Sequence, residues 1–288
     1  MMHVHTRTRL AFAAMLIAGL AVFGGAASAA EYKPVVGQEG KDVIWVPTPE
    51  ALVERMLNMA GLKKNEVHFD LGSGDGRTVI MAAKKFGARA TGVEFNADMV
   101  ELSRKSAEKE GVSARAQFIR GDIFQTDFTG ADVVTLYLLP SLNLKLRPTI
   151  LDMKPGTRVV SHAFTMGDWQ ADQVDTVEGR TAYMWTVPAK VEGTWRIESS
   201  DISARSIELT LRQQFQNIEG LVKIDDKTSQ FRNPRLAGDR IMFSVIEVTG
   251  PASTVRRDFV GRVNGNRMEG SFKTGEAAET KWTATRAQ

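Results

Sequence analysis

Cysteine is absent from all 288 residues. That excludes disulfides, thiolate metal sites, a cysteine nucleophile and a lipidated N-terminal cysteine. Histidine is nearly as scarce: there are four, and His3 and His5 fall in the first ten residues, so no histidine-built metal centre is expected. No Gly-Lys-Ser/Thr follows any glycine, which excludes a P-loop. A surplus of one charge is also missing. Removing Arg7 and Arg9 with the N-terminal segment described next leaves 35 of the 37 basic side chains against 34 acidic ones. No Lys/Arg cluster interleaves with aromatics, so nucleic acid is not an expected partner.

What is present begins with Arg7 and Arg9 ahead of an uncharged run, Leu10 to Ala30, that ends in Gly24, Gly25 and Ala27-Ser28-Ala29-Ala30. A basic start, an apolar middle and a small-residue end are the order of a secretory signal peptide, cleaved after Ala29 or Ala30. The alternative is an uncleaved anchor, since the run is just long enough to span a bilayer. Either way the body is expected outside the cytoplasm, secreted or periplasmic. A cleaved mature chain would contain no membrane span.

Residues 31–190 and 191–288 differ in period. From Lys41 to about Pro188 short apolar runs alternate with helical patterns. Thr48-Pro49-Glu50 predicts a helix start with Thr48 as N-cap and Pro49 at N1. Strands are expected over Val67 to Leu71, Ala90 to Phe95, Ala116 to Ile119, Asp132 to Leu138 and Thr157 to Ser161. Helices are expected over Thr78 to Phe86, from Asn96 to about Glu110, and across Leu142 to Met153, where Pro148 can kink the last. This order predicts an α/β fold, a doubly wound parallel sheet with helices on both faces and its ligand at the carboxyl ends of the strands. After about Val191 the period drops to two, as in Ile207, Leu209 and Leu211. Asn264-Gly265 signals a hairpin, and Gly238-Asp-Arg-Ile241 echoes Gly265-Asn-Arg-Met268. Residues 191–288 therefore read as a small antiparallel all-β sheet or barrel.

The stretch Phe69-Asp-Leu-Gly-Ser-Gly-Asp-Gly-Arg77 carries the chemistry. Gly72, Gly74 and Gly76 make a loop that admits a ligand close to the backbone. A dinucleotide fingerprint would place its third glycine one residue later. Asp70 and Asp75 would also repel a pyrophosphate, each close pair costing on the order of several kcal/mol if poorly solvated. The ligand that fits is cationic near the loop and carries no phosphate.

At this point the chain resembles the class I, seven-strand, Rossmann-like SAM-dependent methyltransferases. Their first motif, D/E-x-G-x-G-x-G, is matched by Asp70-Leu-Gly72-Ser73-Gly74-Asp75-Gly76. The resemblance covers roughly Val46 to Ser161 and implies S-adenosyl-L-methionine (SAM) as cofactor. It assigns Glu94, at the end of the second strand, to both ribose hydroxyls. Asp122 and the Ile123 backbone N-H, after the third, are assigned to the adenine ring. Asp75 also has a structural reading as a turn or cap residue.

Methyl transfer is an in-line displacement that needs alignment and a neutral nucleophile more than an acid catalyst. The acceptor is expected beside the fourth strand, at Tyr137, Leu138 and Pro140. Amino-methylating relatives carry Asn/Asp-Pro-Pro-Tyr there. This chain has Leu138-Leu-Pro140-Ser141 and is closer to lysine methyltransferases of the ATP-synthase c-subunit type, which implies a protein lysine as one acceptor. A small-molecule acceptor remains open, as does a silent SAM- or nucleoside-binding protein whose β-domain mediates interactions. His162 reads either as a proton acceptor or as a loop residue. Trp45 and Trp169 read either as a roof over the cofactor or as loop packing.

Overall fold

The computed structural model describes residues 1–2, 32–199, 206–250 and 252–287. The signal peptide expected over residues 1–30 lies almost wholly outside the described residues. Helix α1 is Glu50–Met59, and its 3.6-residue spacing buries Leu52, Val53, Met56 and Leu57. Pro49, not Thr48, is its N-cap, and no side chain caps it. The threonine hydroxyl is drawn instead to a distant histidine, described below.

Strand β1 (Val67–Leu71) leads through the glycine loop to α2 (Arg77–Phe86), which Gly87 ends at φ +69. Then follow β2 (Arg89–Glu94), α3 (Ala97–Lys109), β3 (Ala116–Arg120), β4 (Val133–Leu136), α4 (Pro140–Leu151) and β5 (Arg158–His162). Asn96 Oδ1 caps α3, accepting from the backbone N-H of Asp98 and Met99. All of these strands pair in parallel.

The sheet departs from the all-parallel expectation after β5. Strands β6 (Gln173–Val177) and β7 (Arg180–Thr186) form a hairpin, and β7 runs antiparallel to both β5 and β6. The turn between them holds Glu178 at φ +50 and Gly179 at φ +74, the two positive φ values a type I′ loop requires. The order is β3-β2-β1-β4-β5-β7-β6. Because side chains alternate along a strand, β1 sends Phe69 and Leu71 into the core beneath α4. His68 and Asp70 take the opposite face.

The second sheet comprises β8 (Gly193–Glu198), β9 (Ile207–Gln214), β10 (Asn217–Ile224), β11 (Lys227–Gln230), β12 (Arg232–Ala237), β13 (Arg240–Gly250), β14 (Ser253–Asn264), β15 (Arg267–Thr274) and β16 (Thr280–Arg286). Its order runs from β11 at one end to β12 at the other. Those two segments are joined in the chain by Phe231 alone, whose N-H donates to Gly220 O at 3.0 Å. One bent strand thus pairs with β10 on one side and β13 on the other, closing the sheet into an up-and-down barrel. Its interior is filled. Phe243 lies 4.3 Å from Phe231 and 4.9 Å from Phe259, ring to ring, with Trp195, Phe272 and Trp282 also fully buried. Each such burial contributes roughly 1.5–3 kcal/mol.

The echo in the sequence is a repeat of turn geometry. Ala237 pairs with Arg240 and Asn264 with Arg267, and each two-residue loop begins with a glycine at φ +58. The second loop is therefore Gly265-Asn266, one residue later than Asn264-Gly265. Residues Pro34–Gln288 form one compact unit.

Candidate active site

A cavity of about 510 Å³ opens at the carboxyl ends of β1, β2 and β4. It is lined by the glycine loop, by Glu94, Asp122 and Ile123, and by Tyr137 and Leu138. Residues 38–47 form its remaining wall, a strap whose importance the sequence signals only through Trp45. The strap folds on itself, with Trp45 N donating to Gln38 O and Gly37 N to Trp45 O, both at 2.9 Å.

The glycines have two tasks. Gly76, at φ +80, would place a Cβ 2.7 Å from the Phe118 ring and 2.8 Å from Ser103 Cβ, so its bareness lets α2 pack on β3 and α3. Gly74 faces the strap, and a Cβ there would lie 2.6 Å from Trp45 Nε1. Trp45 therefore closes over the loop. Trp169 is buried away from the cavity, where it packs in the core beneath α4. Ser73 lines the cavity with its hydroxyl buried and without a hydrogen-bond partner among the described residues.

Each acid is held differently. Glu94 Oε2 accepts from Gly74 N and Oε1 from Asn96 N, both at 2.9 Å, which fixes the carboxylate and leaves a lone pair on each oxygen. Asp122 accepts from Lys41 Nζ at 2.6 Å and from Phe124 N at 2.9 Å. Those contacts, the lysine first, hold its carboxyl below the usual range. Asp70 is buried and accepts from Thr135 Oγ1 at 2.6 Å. Burial pushes its carboxyl up to about 7, further raised by Asp75 and Glu94 and opposed by hydrogen bonds from Thr135 and Thr78. Behind Thr135 stands His68, its Nε2 2.8 Å from the same hydroxyl oxygen. When Asp70 is ionised and takes that hydroxyl's proton, His68 Nε2 is the donor; when Asp70 is protonated the order reverses. Burial lowers His68 to about 3 and keeps it neutral.

Asp75 does not offer a free carboxylate. Arg77 grips it through Nε at 3.0 Å and Nη2 at 2.6 Å, while Arg77 Nη1 donates to Thr48 O at 3.1 Å. Asp75 thus lines the cavity with its carboxylate held by an arginine. Arg77 is a cavity residue the sequence reading passed over. It lines the cavity at the amino end of α2, where an anionic group is favoured. Its signal was a cation directly after the third glycine.

On the acceptor side, Tyr137 and Leu138 line the cavity, joined by Leu139, Leu142 and Phe164. Pro140 does not line it. It is the exposed first residue of α4, where a missing N-H costs nothing. The Tyr137 ring lies 3.8 Å from the His162 ring and 6.2 Å from that of Phe164. Thr48 Oγ1, diverted from helix capping, is 3.0 Å from His162 Nδ1. His162 does not itself line the cavity; burial first, then the Arg180 charge, lowers it to about 4, so the ring packed against Tyr137 is neutral near pH 7.

Acids facing donors, one arginine for a carboxylate and no cluster for phosphate suit a sulfonium nucleoside bearing an amino acid. Among the described residues no group of three or more His, Asp or Glu side chains is placed to hold a metal.

Comparison with known proteins agrees with that chemistry. The family profile described as the ANTKMT methyltransferase domain matches residues 70–173. A protein-lysine N-methyltransferase of Saccharolobus islandicus (strain REY15A) is 41% identical over 151 residues, covering 50% of this chain and 94% of its own. The Homo sapiens lysine N-methyltransferase named for the ATP synthase c-subunit is 30% identical over 173 residues, 60% of this chain and 68% of its own. Among solved structures, an RNA methyltransferase from Salinibacter ruber in complex with S-adenosyl-L-homocysteine is 50% identical with a TM-score of 0.50, covering 51% of this chain and 96% of that one.

Proposed function

We propose, for a chain that belongs to the family of SAM-dependent methyltransferases with the ANTKMT methyltransferase domain, that the methyl acceptor is the ε-amine of a protein lysine. The observation that carries this is the uncharged aromatic wall of Tyr137 and Phe164, with the neutral His162 ring packed against Tyr137, beside the tip of β4. A lysine attacks only as the free amine, and a wall without charge favours that form over the ammonium. The Tyr137 ring and the Leu138 segment would hold the amine in line. Its proton leaves to solvent before attack. Bound SAM would supply an electrophilic methyl on a sulfonium, whose carbon–sulfur bond would break as the lysine nitrogen takes the carbon.

The residues for the cofactor follow from the same geometry. Glu94 would receive the ribose hydroxyls, Asp122 and the Ile123 N-H the adenine. Asp70 would balance the ammonium, and Arg77 the carboxylate. The leader-like residues 1–30 favour an acceptor outside the cytoplasm.

RNA is the second reading, favoured by the name of the Salinibacter ruber relative. The full chain, incubated with methyl-labelled SAM, a periplasmic extract and total RNA, separates the two. Protease-sensitive label with methyl-lysine in the mass spectrum supports the proposal. Ribonuclease-sensitive label overturns it.

A further inference from the structure

The barrel touches the acceptor wall indirectly, through residues 163–172. That loop leaves β5 in a tight reversal: Phe164 N donates to His162 O at 2.8 Å around Ala163, which sits at φ +65. A γ-turn of this hand is rare and strained for a residue with a side chain. It places His162 and Phe164 on the same ring cluster with Tyr137. Something must hold the turn in place.

Part of the hold comes from α4. Asn143 Nδ2, on a fully buried side chain, lies 3.4 Å from Phe164 O and 3.3 Å from Thr165 O, and Arg147 Nη1 donates to Met166 O at 2.8 Å. The next anchor is Trp169, whose carbonyl accepts from Trp185 Nε1 at 2.8 Å. The rest comes from the turn between β9 and β10. Gln216 Oε1 accepts from Trp169 Nε1 at 3.0 Å, and Gln216 Nε2 donates to Gln170 O at 2.8 Å and Asp172 Oδ1 at 3.2 Å. Phe215 stacks on Trp169 with ring centres 5.9 Å apart, and the Arg147 guanidinium lies 5.4 Å from the centre of the Phe215 ring. Phe215 itself is at φ +55, a conformation bulky side chains rarely adopt. Strained residues thus stand at both ends of one connected path.

We propose that Phe215 and Gln216 are positioning residues for methyl transfer: the barrel turn holds Trp169, and through the 163–172 loop it sets Phe164 and His162 against Tyr137. The barrel is then part of the acceptor wall's support and not a separately tethered module. The lysine acceptor itself rests on the reading above, but the mechanical link does not.

The test uses the full chain with Gln216→Leu, Phe215→Ala and Gln216→Glu, the last keeping an oxygen for the indole N-H. With S-adenosylhomocysteine bound, Gln216→Leu and Phe215→Ala are expected to speed amide exchange across residues 163–172 by roughly tenfold, with residues 72–76 unchanged. Gln216→Glu sets a carboxylate oxygen against Gln170 O and Asp172 Oδ1 and should lose protection as well. For a synthetic single-lysine peptide, KM should rise about fivefold while KM for SAM stays within about twofold. Unchanged exchange at 163–172 in either folded variant overturns the proposal, as does an equal rise in both KM values. A wild-type chain that methylates no lysine peptide would remove the lysine reading alone, leaving amide exchange to decide this one.

Discussion

Lys41 Nζ donates to Asp122 Oδ2 across 2.6 Å, so the acid that follows β3 already has a cation from the strap beside it. If Asp122 serves the adenine amino group, Asp122→Ala should weaken S-adenosylhomocysteine binding about tenfold. Lys41→Met, which only frees the carboxylate, should shift it less than about threefold. Calorimetry on the two variants ranks them. A larger loss from Lys41→Met would mean that the aspartate exists to anchor the strap.

Asp70 makes cofactor binding depend on pH. Between its ordinary value of 3.8 and about 7 the folded chain holds a proton that the unfolded chain has released. This contribution to stability is present at low pH and is lost as pH rises through that window. A cofactor ammonium reverses the preference by favouring the carboxylate. Affinity for S-adenosylhomocysteine should therefore rise from pH 6 to pH 8 with proton release, visible as a buffer-dependent binding heat. Asp70→Asn should flatten the profile; a profile unchanged in that variant would sever Asp70 from the ammonium.

The histidines act with the opposite sign. His162 and His68 are lowered to about 4 and about 3, so on acidification below 6.5 the unfolded chain takes up protons that the folded chain refuses. Their contribution is present above pH 6.5 and fades as pH falls towards those values. Two histidines outweigh one aspartate here, and Tm should drop between pH 6.5 and pH 4.5. His162→Asn should make that drop shallower in a thermal melt.

Gly76→Ala should cost roughly 2–4 kcal/mol, because it adds left-handed strain to overpacking against Phe118 and Ser103. Gly130→Ala is the matched control. Nothing lies within 4 Å of its added carbon, and the change should stay within about 0.5 kcal/mol. Urea unfolding of both variants measures the difference.

A reporter that requires an oxidising compartment, fused after Ala30, should be active in intact cells and lose activity when Arg7 and Arg9 are replaced by glutamate. A reporter that is made in full but stays inactive would overturn the proposed export.

Much of the fold was legible because its signals are local. Val67 to Leu71 is a strand to the residue, and Asn96 caps the helix it was expected to cap. Asp70, Glu94 and Asp122 could be placed together because successive parallel strands end on one edge. What was missed turns on side-chain contacts and backbone angles that a short window does not display. Thr48 looked like a cap until a histidine 114 residues away claimed its hydroxyl. Asp75 lines the cavity as expected for a loop acid, but that Arg77, two residues on, grips its carboxylate is a side-chain geometry the motif does not spell. The β6–β7 hairpin was hidden by Glu178, a residue not expected at positive φ. Barrel closure depends on Phe231 joining two segments that pair with different neighbours, which no window of sequence displays.

That junction at Phe231 also decides how the barrel can be approached. With the circuit complete, the described residues leave only short stretches of unpaired edge where β11 and β12 meet, too little for a foreign strand to pair along its length. An open sheet of the same length would have invited copies to stack end on end. Visitors to the barrel's flank must instead be recognised by the side chains that it displays.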